Sequence, residues 1–139
     1  MSDAARGVRI LHAALAIGLS VVAATFVLVL RSLGPLLTTT PLIGYATVGL
    51  GLANLAVVVG FFRPRIPQRP VDQLPDEYWA TTEARAAVIV IWAMIEGAGL
   101  ISLVGYLLTG SVVPAAVAAL AIVTLIVLRP ALLEGDGVV

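Results

Sequence analysis

Four long, predominantly apolar stretches dominate this sequence, at positions 10–30, 41–62, 86–108 and 112–128. A helix rises ~1.5 Å per residue and the hydrocarbon core of a bilayer is ~30 Å thick. The first three stretches, at 21, 22 and 23 residues, are each long enough to span it, and the fourth, at 17, sits at the short limit. Membrane strands instead alternate polar and apolar residues over about 10 positions, and no such alternation occurs. The expected fold is an all-α integral membrane protein, a single transmembrane domain over 1–139. It is a bundle of four transmembrane helices in two hairpins, at about 10–30, 41–62, 85–108 and 112–128, with a loop over 63–83.

Composition agrees. The chain is 60% hydrophobic and 12% charged, against about 25% charged in soluble domains, so it cannot cover a soluble enzyme's surface. Eight Arg balance eight acids, with no Lys and no Cys. A neutral chain has no basic field for nucleic acid, and without Cys it has no thiolate or Cys-based metal chemistry. Gly-rich phosphate loops, nucleophile elbows and paired catalytic carboxylates are absent from the sequence, so neither an enzyme nor a cofactor is expected.

Helix ends carry their own signals. Thr40-Pro41, and Ser111 with Pro114, pair a capping hydroxyl with a Pro in the first turn, where its missing N–H costs nothing. Phe62-Arg63-Pro64 and Leu128-Arg129-Pro130 place Arg at the negative helix end and Pro where the helix must stop. The repeated Arg-Pro stop hints at a hairpin duplication. The first stretch, preceded by Arg6 and Arg9, resembles a signal peptide, but it runs well past the 7–15 residues of a typical signal core and is expected to be retained.

The arginines set orientation. Arg6 and Arg9 precede the first helix, Arg63, Arg65, Arg69 and Arg85 fall in or beside the central loop, and Arg129 follows the last helix. Only Arg31 lies on the other side. Positive residues stay cytoplasmic, so both termini and the 63–83 loop are expected there, in a multi-pass protein of the cell inner (cytoplasmic) membrane. The loop reads as a solvated connector, with Tyr78-Trp79 at headgroup level, and His12 reads as an interfacial anchor.

Glu96 is the residue that demands explanation. It lies eleven residues beyond Arg85, about 16 Å into the span. A charged group at that depth costs about 2.5–3.5 kcal/mol to insert and almost always faces a bundle interior, a cavity or a partner. A low-dielectric surrounding favours the protonated carboxyl, so such a group can hold and release a proton. Ser20 and Asn54 fall at similar depth, and an Asn amide can serve a carboxyl as donor or acceptor. The expectation is that Ser20, Asn54 and Glu96 meet in the core as an ion-binding set. The competing expectation is that they are independent, with Ser20 bonded to its own helix.

Small residues mark the helix seams. Ala46, Gly49, Ala53, Ala56 and Gly60 recur at helical spacing on the second helix, and Ala93, Gly97, Ala98 and Ser102 on the third. Such faces let helices touch inside lipid, where no hydrophobic drive exists between them. They are expected to pack together.

The stretch Trp92-Ala93-Met94-Ile95-Glu96-Gly97-Ala98-Gly99-Leu100, with the aliphatic run to Leu108, resembles the carboxylate-bearing helix of the c subunit (proteolipid) of rotary ATP synthases. Gly44-Tyr45-Ala46-Thr47-Val48-Gly49-Leu50-Gly51-Leu52-Ala53 is similar to that family's glycine-rich helix, and Pro67-Gln68-Arg69-Pro70 to its polar loop. The resemblance covers the central hairpin, about half the chain. The long loop, the flanking helices and a looser glycine pattern depart from it. The whole chain also looks like small four-helix bacterial membrane proteins of unknown function with an acid in helix three. The resemblance implies that Glu96 carries a proton or Na⁺ with Asn54 as helper. The alternative is a structural or accessory subunit in which Glu96 makes a buried hydrogen bond. Expected partners are the lipid bilayer and either further copies of the chain or other membrane subunits.

Overall fold

The structure, a computed structural model, describes residues 3–37 and 41–135. Its elements are α1 (Asp3–Leu33), α2 (Pro41–Val57), a π turn (Val58–Phe62) running into a 3-10 turn (Arg63–Arg65), α3 (Pro75–Ala80), α4 (Thr82–Thr109), α5 (Val112–Val127) and α6 (Pro130–Glu134). The described residues contain no strand. α1, the continuous run Pro41–Arg65 and α4 are each long and apolar enough to cross a membrane, and α5 is a shorter apolar helix.

The termini show why these segments start and stop. α1 extends beyond the expected 10–30 because nothing between Asp3 and Leu33 breaks a helix, and Asp3 suits the positive N-terminal end. The Thr40 hydroxyl expected to start α2 lies outside the described residues. The Ser111 hydroxyl accepts the Val113 N–H at 3.4 Å and starts α5, as the sequence indicates. α4 ends at Gly110, whose φ of 67° is the left-handed cap that glycine adopts without strain.

The stop at Pro64 is made differently from a simple break. Pro64 has no N–H to donate, and its ring would crowd the carbonyl four residues back, at Gly60. The chain widens ahead of it instead, and Arg63 donates its N–H to the Val58 carbonyl, five residues back. The 63–83 segment is correspondingly more ordered than a connector. It contains α3, started by Pro75 with the Leu74 N–H donating to Glu77 Oε2 at 3.3 Å, and α4 begins at Thr82, inside the expected loop.

α4 is the hub, packed against α1, α2 and α5. It buries Val88, Ile91, Trp92, Ile95, Ala98, Gly99 and Ser102, whereas α1 buries only Ala5, Val8 and Leu19. At one end, the Trp79 indole donates to Glu134 at 2.7 Å and Arg69 reaches the Gly135 carbonyl at 3.3 Å, so segment 63–81 closes onto α6. At the other end, the Leu37 N–H donates to the Leu108 carbonyl at 2.8 Å.

The small-residue faces are only half as expected. On α4, Ala98 and Ser102 are buried and Gly97 lies beside Asn54. On α2 and the turn after it, however, Gly49, Ala53, Ala56 and Gly60 are all exposed, and nothing approaches Gly49 or Gly60. α2 turns its other face inward, with Gly44, Gly51 and Leu55 buried. In lipid both faces of such a helix are apolar, so no polarity contrast distinguishes the packed face from the free one.

Candidate functional site

Glu96 lies halfway along α4 and is half-buried. One turn to either side of it, Trp92 and Gly99 are buried, and both touch α1: the Trp92 ring lies 4.8 Å from His12, and Gly99 faces Leu19. Its other helical neighbours, Ala93 and Leu100, are exposed. Glu96 therefore sits on the rim where the α1–α4 seam opens outward. Among the described residues its carboxyl has no hydrogen-bond or ion-pair partner.

Asn54 serves a different seam. Its Nδ2 donates to the Met94 carbonyl at 2.8 Å, a bond between α2 and α4. That seam is centred on Ala98, Ser102 and Gly105, where Gly51 meets Ser102 and Ala98, and Gly105 meets Thr47. At 3.6 residues per turn, Glu96 is rotated by about 160° from Ala98. Ser20 is exposed on α1, with its hydroxyl donated to the Ala16 carbonyl at 2.7 Å. No hydrogen bond joins the three residues expected to form one ion-binding set. Asn54 and Ser20 satisfy themselves on backbone carbonyls, and Glu96 stands apart.

Ser102 is fully buried, and among the described residues its hydroxyl has no hydrogen-bond partner. Its hydroxyl oxygen would lie 2.5 Å from a Cβ built on Gly51. The close approach of α2 to α4 thus depends on Gly51 and Gly105, which lie off the stripe that the sequence pattern singles out.

His12 is more than an anchor. Its Nε2 lies 2.7 Å from the Leu125 carbonyl and its ring packs on Trp92, whose indole N–H donates to the Leu128 carbonyl at 2.8 Å. These two rings serve the carbonyls that the C-terminal end of α5 leaves without helical partners, and they tie α1 and α4 to it. A His eight residues before a span-centre position carries no periodic signal that would have exposed this role. Among the described residues no group of His, Asp and Glu is placed to hold a metal.

No family model, curated protein or solved structure matches this chain. Any statement of function therefore rests on the residues themselves.

Proposed function

We propose that this chain is a multi-pass protein of the cytoplasmic membrane that holds a proton or Na⁺ at the Glu96 carboxyl and works beside a neighbouring membrane subunit, most simply another copy of itself. The observation that carries this reading is the half-buried, unpartnered position of Glu96 on the outward rim of the α1–α4 seam. An acid at the middle of a membrane helix needs a proton, a cation or a donor, and a rim position lets a neighbour supply or exchange it. The proteolipid-like pattern around Glu96 supports the same role. In this arrangement the arginine-rich end faces the cytoplasm.

The test is carbodiimide labelling and proton flux in proteoliposomes. Wild type is expected to be labelled at Glu96 and to pass protons, and Glu96→Gln to lose both while remaining folded. Flux unchanged in Glu96→Gln overturns the reading.

A second reading, a structural or accessory subunit, draws support from the exposed small-residue face Gly49, Ala53, Ala56 and Gly60, which suits a partner helix. It is favoured if Glu96→Gln leaves flux at the background level of wild type but releases a copurifying subunit.

A further inference from the structure

Beyond the membrane-centre carboxyl, the arginine-rich end encloses a cleft of about 240 Å³ between segment 63–69 and α6. Arg63, Gln68, Arg69 and Glu134 provide its polar wall, and Ile66 and Leu133 its apolar one. Arg69 donates from Nη1 to the Gln73 carbonyl at 2.6 Å and from Nη2 to the Gly135 carbonyl at 3.3 Å, while its Nε–H is buried and, among the described residues, without an acceptor. Arg63 is exposed and, among the described residues, has no hydrogen bond or ion pair. Glu134, the acid of the cleft wall, already accepts the Trp79 indole N–H at 2.7 Å. Arg63 and Arg69 thus line one cleft, and among the described residues neither has a carboxylate partner.

Guanidinium N–H groups in a fixed fork match the oxygens of a phosphate, and charge-assisted bonds of this kind are about twice as strong as neutral ones. We infer that this cleft binds the phosphate group of an anionic ligand, with Arg63 and Arg69 as its charged donors and the Gln68 amide as a neutral one. The position favours a phospholipid headgroup as the source. The cleft lies at the end of the apolar run 41–62, where Val59 and Phe61 are exposed for acyl chains to lie against. Basic pockets at the cytoplasmic ends of membrane helices bind such headgroups. A soluble phosphate compound offers the same chemistry without the tail.

The experiment measures thermal unfolding of the full chain in phosphatidylcholine nanodiscs, with and without phosphatidylglycerol, and in a parallel arm with inorganic phosphate. Wild type is expected to be stabilised by phosphatidylglycerol and not by phosphate. Arg63→Gln should weaken the apparent lipid affinity about fivefold, the effect of one surface cation, and Arg31→Gln at the opposite end should leave it unchanged. Arg63 is exposed and makes no bond among the described residues, so its replacement does not threaten folding, and Arg69→Gln serves as the stronger second variant. Stabilisation by phosphate that Arg63→Gln removes keeps the site and names a soluble source. Asp136 follows Gly135 in sequence, so a chain ending at Gly135 is tested alongside. Overturning results are no stabilisation by either probe, a stabilisation indifferent to Arg63→Gln, or one that appears only in the shortened chain.

Discussion

At the residue scale the glycines divide by what a methyl group would meet. A Cβ on Gly105 would lie 2.8 Å from Thr47 Cβ, a position that moves only with the α2 backbone, whereas nothing lies within 4 Å of one on Gly49 or Gly60. Gly105→Ala is therefore expected to destabilise by about 1–3 kcal/mol, the usual cost of overpacking. Gly49→Ala should be neutral or stabilise by up to about 1 kcal/mol through helix propensity. Unfolding of the two variants in the same detergent checks both, and the reverse order would show that the α2 stripe, not Gly105, forms the seam. Asn54 belongs to the same seam: Asn54→Ala removes the bond to the Met94 carbonyl, and bonds between membrane helices average about 0.6 kcal/mol. A loss of that size, with carbodiimide reactivity of Glu96 unchanged, is the expected result; a large change in labelling would tie Asn54 to the acid after all. The sequence reveals that Asn54 and Glu96 share a depth, because depth follows from counting along a rise of ~1.5 Å. It does not reveal that they occupy different flanks of α4, because that depends on which face of α2 turns inward.

Among the elements, the long apolar helices are legible and the ordered polar segment is not. The presence of α2 and α4 follows from the apolar runs, although α2 passes into a π turn after Val57 and α4 starts ahead of its run at Thr82, and the Ser111 cap follows from its hydroxyl. α3 is hidden because Pro64, Pro67, Pro70 and Pro75 read as loop composition, although Pro75 opens a helix as readily as it closes one. What holds α3 in place is tertiary: the Tyr78 hydroxyl donates to the Pro67 carbonyl at 2.7 Å, and Trp79 is fully buried and bonded to Glu134. Burial raises the Tyr78 hydroxyl above the ordinary tyrosine value of 10.0, and the Glu134 carboxylate raises it further. Because the folded value exceeds the unfolded one, the neutral phenol's contribution is complete below about pH 10 and is lost as pH rises through the folded value. Tyr78→Phe should cost about 1 kcal/mol at neutral pH through the lost hydrogen bond. It should also show a smaller drop in stability between about pH 8 and about pH 11 than wild type. Unfolding midpoints at the two pH values test this, and an equal alkaline drop in both proteins would remove Tyr78 as its cause.

For the whole molecule, the distribution of charge now has a geometry. Segment 63–81 and α6 close one end of the bundle, and Arg63, Arg65, Arg69 and Arg129 belong to that end, with Arg6 and Arg9 on the first turns of α1, which packs on α3. The opposite end, where Leu36 and Leu37 pair with the last turn of α4, carries Arg31 alone among the arginines. A net charge of zero conceals this polarity, and in the proposed membrane arrangement the polarity rather than the sum would set the orientation, since Lys and Arg near helix ends favour the cytoplasmic side. Glu96 is remote from both ends, so under the proposed function the direction of ion movement would follow from the orientation of the bundle. The natural chain has no Cys, which makes single introduced thiols direct reporters of sidedness. In intact cells, a membrane-impermeant maleimide is expected to label Leu36→Cys, at a residue 55% exposed, and to label Gln68→Cys only after the membrane is permeabilised. The opposite pattern would invert the bundle and place the Arg63–Arg69 cleft outside the cell, away from the cytoplasmic leaflet's anionic headgroups. Labelling of both positions from one side would show that the four helices do not cross the bilayer as two hairpins.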